Sequence, residues 1–168
     1  MDLDDSEKPI ALRPHSGVLN VSISPDGQRV ASGNWEGTEG VKVWNTRSRT
    51  LEKRLPMGGV MMAWSPNGRW LATSGAQTNF TNKHQIWDTQ SWALRHSFEP
   101  EHSHGPMAFS PDSRIVAFVI DHHLIRLHEV ETFGHLATLE APRPAVIAWL
   151  QFSSDGQRLA ALESNHGI

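Results

Sequence analysis

A four-residue string, Ser24-Pro25-Asp26-Gly27, returns three times in this chain, and its spacing limits the possible folds more than any other feature. The later copies are Ser65-Pro66-Asn67-Gly68, Ser110-Pro111-Asp112-Ser113 and Ser153-Ser154-Asp155-Gly156, at intervals of 41, 45 and 43 residues. The flanks repeat with it. A large apolar residue precedes each Ser (Ile23, Trp64, Phe109, Phe152). Six residues after each Ser stands Val30, Leu71, Val116 or Leu159, always followed by alanine (Ala31, Ala72, Ala117, Ala160). Four copies in one ungapped register define a repeat array, with a unit of about 40–45 residues.

Each unit reads as strands joined by turns. Leu19, Val21 and Ile23 alternate with Asn20 and Ser22, the period of a half-buried strand. In the marker turn Pro presets φ, Asp suits the third place, and Gly accepts the positive φ that re-enters the next strand. The first unit predicts strands over 18–23, 29–33, 41–44 and 50–55, and the second over 59–64, 70–74, 84–87 and 92–98. The third predicts 106–109, 115–120, 124–128 and 135–139, and the fourth only 146–152 and 157–162. A further strand counted from Ser153 would fall at or just past Ile168. Trp44, Trp87 and His128 occupy one register position, with Leu55, Phe98 and Leu139 eleven residues beyond them. No segment has a helical period, so the fold class is all-β, and four strands per unit at this period is the pattern of a propeller blade. Ile10-Ala11-Leu12, closed by Pro14, reads as a strand with no partner before it; residues 1–9 read as a mobile acidic tail.

Composition narrows the function. The 168 residues suit one domain, and 38% apolar with 20% charged residues is a globular balance. A net charge of −3 offers no basic patch, so neither nucleic acid nor an anionic membrane is an expected partner. The lack of cysteine excludes disulfides, thiol catalysis and Cys-ligated zinc. Apolar runs fall far short of the ~20 residues of a membrane helix. The polar, acidic start differs from a secretory signal, so a cytoplasmic protein is expected.

The marker turns with their apolar flanks, Val41-Lys42-Val43-Trp44-Asn45 and Ile86-Trp87-Asp88 together make the chain resemble the WD40 repeat family over residues 10 to 162. The resemblance implies a WD40-type β-propeller over 10–168. It would have three complete four-stranded blades (18–55, 59–98, 106–139) and a partial fourth (146–168), an incomplete ring. TolB-like propellers share the turn, but the Trp after the third strand favours WD40. Many WD40 repeats join a loop His, a strand Ser, a turn Asp and the Trp in one buried network. Here the first unit offers His15, Ser32 and Trp44, with Glu36 as a substitute for the Asp. The third has Asp121, but His128 in place of Trp. Propellers close with four to eight blades, and an open arc bares an apolar face at each end. The chain is therefore expected to be a piece of a longer propeller; ring completion by self-association or a truncated product are the alternatives.

The resemblance further implies a non-catalytic scaffold or interaction module that binds a protein or peptide through its loops. Trp35 and Phe80, each in a polar loop between second and third strands, are candidate aromatic anchors. With Glu36, His102, His104, Asp121 and His122 they make the candidate partner-binding face, while Trp44, Trp64, Trp87 and Trp149 read as core. Glu101-His102-Ser103-His104 and Asp121-His122-His123 carry zinc-ligand side chains on loops of one face. Nothing fixes their geometry, so solvated loops and no metal are expected. There is no Gly-x-Ser-x-Gly elbow and no phosphate-binding glycine loop, so no catalytic residue and no cofactor is expected. The alternative function is a ligand- or metal-binding propeller enzyme, or the sensor domain of a larger signalling protein.

Overall fold

The structure, a computed structural model, describes residues 12, 15–34, 39–56, 61–76, 82–98, 105–141 and 146–164. Among these, every element is a β-strand. The first sheet holds β1 (Val18–Ile23), β2 (Arg29–Asn34), β3 (Val41–Asn45) and β4 (Leu51–Leu55). The second holds β5 (Met61–Trp64), β6 (Trp70–Ala76), β7 (Asn82–Asp88) and β8 (Leu94–Ser97). The third holds β9 (Met107–Phe109), β10 (Ile115–Ile120), β11 (Leu124–Glu129) and β12 (His135–Glu140), and the last β13 (Val146–Phe152) and β14 (Leu159–Ser164). Strands are hydrogen-bonded in chain order, each antiparallel to the next. Each sheet is one sequence repeat. The first strands meet one another, β1 with β5, β5 with β9 and β9 with β13, so the sheets stand as blades around a common axis.

Strand boundaries fall within two residues of expectation, and two late starts have a clear local cause. Trp92, read as the start of a strand, lies in the preceding turn at φ 56, and β8 begins at Leu94. β14 begins at Leu159, two residues late, because residues up to Arg158 close the marker turn. Residues 1–11 lie outside the described residues, so the tail and most of the expected strand at 10–12 do too; Leu12 belongs to no strand.

The blade faces explain the repeated Val/Leu-Ala pair. Successive side chains on a strand point to opposite faces, so the two residues pack on different neighbours. Leu71 joins Ala31, Val41, Val43 and Leu55 of the first blade, with Trp64 and Trp87 beside it. Ala72, one residue on, joins Trp70, Ile86 and Phe98 against Phe109, Val116 and Phe118 of the third blade. Ala117, Val119 and Ile125 then face Ile147 and Leu150 of the fourth. The hydrophobic core is thus three seams between blades. Alanine is the size that lets the next blade approach; each of the three interior copies is fully buried.

The marker turns close identically. Ser24 Oγ donates to Asp26 Oδ1 at 2.6 Å and accepts from Arg29 N at 2.9 Å, while Gly27 N donates to the Ser24 carbonyl. Gly27, Gly68 and Gly156 take φ of 69°, 71° and 70°; the third copy holds Ser113 at φ 62° instead. That strain has a return. Ser113 Oγ accepts the Asn67 N–H of the second blade at 3.0 Å, linking two marker turns. Ser113→Ala keeps the strain and loses the bond, and will cost about 1 kcal/mol in urea unfolding. Ser113→Gly also relieves about 1 kcal/mol of left-handed strain, so it will unfold close to the parent.

Candidate interaction face

In an antiparallel blade the ends of the second and fourth strands share one edge with the starts of the first and third. The β10–β11 connection, residues 121–123, is on that edge. Asp121 (φ 48°) and His122 (φ 65°) adopt the left-handed region that short polar side chains tolerate, and both are exposed. Backbone bonds hold the turn from three sides. His123 N and Nδ1 both reach the Asp121 carbonyl, at 2.8 and 2.7 Å. The His122 carbonyl accepts from Ile147 N of the fourth blade at 2.9 Å, and the His123 carbonyl from Ala141 N at 3.0 Å. Two outward side chains, one acceptor and one imidazole, are therefore fixed on a rigid support.

The other five candidates, Trp35, Glu36, Phe80, His102 and His104, lie outside the described residues, as does Glu101. The strand ends flanking them, Asn34 and Val41, Ala76 and Asn82, Ser97 and Met107, belong to the same edge by topology. Among the described residues, no group of three or more His, Asp or Glu is placed to hold a metal ion.

A polar network on this edge of the first blade was only half legible. The Trp44 indole N–H donates to Ser32 Oγ at 2.9 Å, and Ser32 Oγ lies 2.7 Å from His15 Nδ1. An indole can only donate, so the Ser32 oxygen accepts from Trp44; the Ser32 hydroxyl also reaches the Lys42 carbonyl at 3.4 Å, and the direction of its bond with His15 is set by the imidazole tautomer. Among the described residues the carboxylate of the network is Glu39, which the sequence reading did not name; Glu36, named there, lies outside the described residues. Glu39 Oε2 accepts from Lys42 Nζ at 2.8 Å and stands 3.9 Å from His15 Nε2. The Lys42 hydrogen bond holds the Glu39 carboxyl below the usual carboxylate range. Burial, helped by the Lys42 charge, pushes His15 down, so the imidazole is neutral. The signal available was Lys42 itself: an ammonium on a strand between two apolar residues, 2% exposed, requires a nearby carboxylate.

The later blades vary this network. In the second, Trp87 Nε1 donates to Thr73 Oγ1 at 3.0 Å. Phe118 holds the corresponding place in the third and His128 stands for the Trp, so a ring stack at 5.3 Å and 15° replaces the hydrogen bond.

Three of the four tryptophans assigned to the core are buried there, Trp44, Trp64 and Trp87. Trp149 is a correction: it is 57% exposed. Its neighbours Ile147 and Leu150 point to the third blade, whereas Trp149 pairs with Leu162 on the opposite face, which no described blade covers. At the other end Leu19, Val21 and Ile23 of β1, each more than 60% exposed, face away from the second blade. Both ends of the arc are bare and apolar.

An arc of four-stranded antiparallel blades around an axis lined by their first strands, with a Trp–Ser–His relay, defines a β-propeller of WD40 type. Residues 7–45 and 58–88 match the family described as WD domain, G-beta repeat, and these segments are WD40 repeats. The chain is 33% identical over 93 residues to "Small ribosomal subunit protein RACK1y" of Oryza sativa subsp. japonica, covering 54% of this chain and 26% of that protein. The fold is similar to that of the RRP9 WD40 repeats, with TM-score 0.71 and 18% identity over 83% of this chain and 43% of that one. It is similar also to Kuenenia stuttgartiensis hydrazine synthase, with TM-score 0.76 and 16% identity over all of this chain and 47% of that one. The chain thus spans about a quarter of its curated relative and under half of each of these two solved structures. WD40 repeat proteins in general serve as scaffolds for protein interaction.

Proposed function

We propose that this chain is a non-catalytic interaction module whose loop edge holds a protein or peptide, and that it works as an arc of a closed ring. The rigid, outward Asp121-His122 turn is the observation that carries the first half. The second half rests on the two bare apolar faces, whose residues stand in register with those buried at the inner seams. Further blades of the same kind cover such faces in a ring, and the solved structures it resembles are about twice as long. The net charge of −3 supports a protein surface rather than a phosphate backbone as partner, although the rice relative is named for a ribosomal subunit. A cytoplasmic setting agrees with that name and with the absence of cysteine.

The test pairs binding with stability. Trp35→Ala will weaken capture of a partner retained by the parent protein about 30-fold, as loss of an aromatic anchor does. Asp121→Ala with His122→Ala will weaken it without moving the melting transition, because both side chains are exposed. Retention of the same partner by both variants would overturn the assignment of this edge; a lowered melting temperature for Trp35→Ala would place that residue in the core.

A further inference from the structure

We infer that the seam between the second and third blades is an acid-sensitive joint, held shut by histidines that must stay neutral. Histidine and phenylalanine rings alternate across it. From the second blade, His84 stacks on Phe118 at 4.6 Å and His96 lies parallel to Phe133 at 4.5 Å and 10°. Phe98 meets Phe118 and His128, each at 4.6 Å, and His128 stacks on Phe118 and abuts His135 at 5.5 Å. Among the described residues, the apolar clusters of the other two seams contain no histidine: the first is packed by Trp64, Trp87 and aliphatic residues, the third by Ile147, Leu150 and their partners.

The hydrogen bonding leaves a second proton nowhere to go. His128 Nδ1 donates to the Phe133 carbonyl at 2.9 Å. Its Nε2 is buried and meets no hydrogen-bond partner among the described residues. A proton added there would create a buried cation with an unmet N–H. The charged groups facing His128 make it worse. They are His135 from β12, Arg126 from its own strand and His96 from β8, all of one sign, with His84 beyond Phe118 on β7. β10 contributes only the neutral Phe118. The carboxylates of the 129–134 turn are engaged elsewhere, Glu129 with the Thr132 hydroxyl and Glu131 with Arg69. Phenylalanine faces attract an imidazolium, and His96 has Phe133 and His128 has Phe118, but two added protons would still set like charges on either side of Phe98.

The sign follows from burial, which pushes His96 and His128 below their ordinary value of 6.5. A folded form that binds fewer protons keeps this stability above pH 6.5 and loses it as the pH falls below. Each histidine costs up to about tenfold in the closing equilibrium per pH unit, so the pair costs at most about a hundredfold at pH 5.5. The Arg69–Glu131 pair and the Ser113–Asn67 bond stand on the rim of the seam and would act as its hinge.

Hydrogen exchange read by mass spectrometry on the full chain at pH 7.5 and 5.5, corrected for the intrinsic rate, tests this. Peptides from β8, β11 and β12 will lose roughly 10- to 100-fold in protection. Those from β13 and β14, whose apolar cluster against the third blade contains no histidine ring among the described residues, will keep theirs. His15 titrates against the first blade, so β2 and β3 do not serve as the reference. In His96→Phe the loss at the seam will shrink to about tenfold. Unchanged protection at the seam, or an equal loss in β13 and β14, overturns the proposal, and the parent protein decides this even if the variant does not fold.

Discussion

Phe118→Ala will destabilise the fold by about 3–5 kcal/mol, lowering the melting temperature by roughly 10 °C at neutral pH. The size of the effect follows from where the ring sits. Phe118 is 2% exposed and lies among His84, Phe98 and His128, so removing it takes a partner from three other rings at once. The rings come from two separate blades, which cannot collapse onto the gap without giving up their own strand pairing. Leu139→Ala gives the contrast. The sequence puts Leu139 in register with Leu55 and Phe98, yet it is 43% exposed where they are 0% and 8%. Each of these residues covers the following blade, and the fourth blade has only β13 and β14 among the described residues. Leu139→Ala will therefore cost under about 1 kcal/mol, and urea unfolding of the two variants side by side separates the positions.

The same logic sets what could be read from residues alone. The marker turns gave the blades, because Pro, Asp and Gly have backbone demands that do not depend on distant contacts. The Val/Leu-Ala pair gave the strand and its two faces. Which neighbour a face would meet was not local information, and Trp149 shows the consequence. A Trp on a strand is core only if a blade follows. Trp92 failed differently: with Arg49 and Phe133 it fills the left-handed place of the turn after the third strand, where glycine would be at ease. A bulky residue is kept there because it reaches the preceding blade. Trp92 donates to Glu52 at 3.2 Å under the Arg29 guanidinium, and Phe133 stacks on His96. The exchange of a Trp–Thr hydrogen bond for a His128–Phe118 stack was equally hidden, since it needs the β10–β11 register to bring the two positions together. Of the edge proposed for interaction, Asp121 and His122 lie exposed between β10 and β11, where the loop reading placed them. Glu39 was missed because its role comes from Lys42 and His15, not from its own neighbours in sequence.

The bare ends of the arc carry the other large effect, on association rather than on folding. The chain alone will self-associate with rising concentration, giving light-scattering masses above its 18.7 kDa. Leu19, Val21 and Ile23 at one end and Trp149 and Leu162 at the other are apolar, adjacent and exposed, which water does not tolerate over a contiguous patch. The two faces differ, so the contact that buries both joins unlike ends and can close a ring or run on. Replacing one end is then enough. Trp149→Ser with Leu162→Ser will weaken association by at least about 30-fold through loss of the aromatic anchor. The melting transition of the dilute protein will scarcely move, because neither side chain is buried in the single chain. Val21→Ser with Ile23→Ser will have the same effect from the opposite end. Suppression by only one pair would show like faces meeting, and the open-ended arc would be replaced by a two-fold dimer. A parent protein that stays monomeric at every concentration would mean that these faces are covered from within the chain, and the ring proposed for it would have to be abandoned.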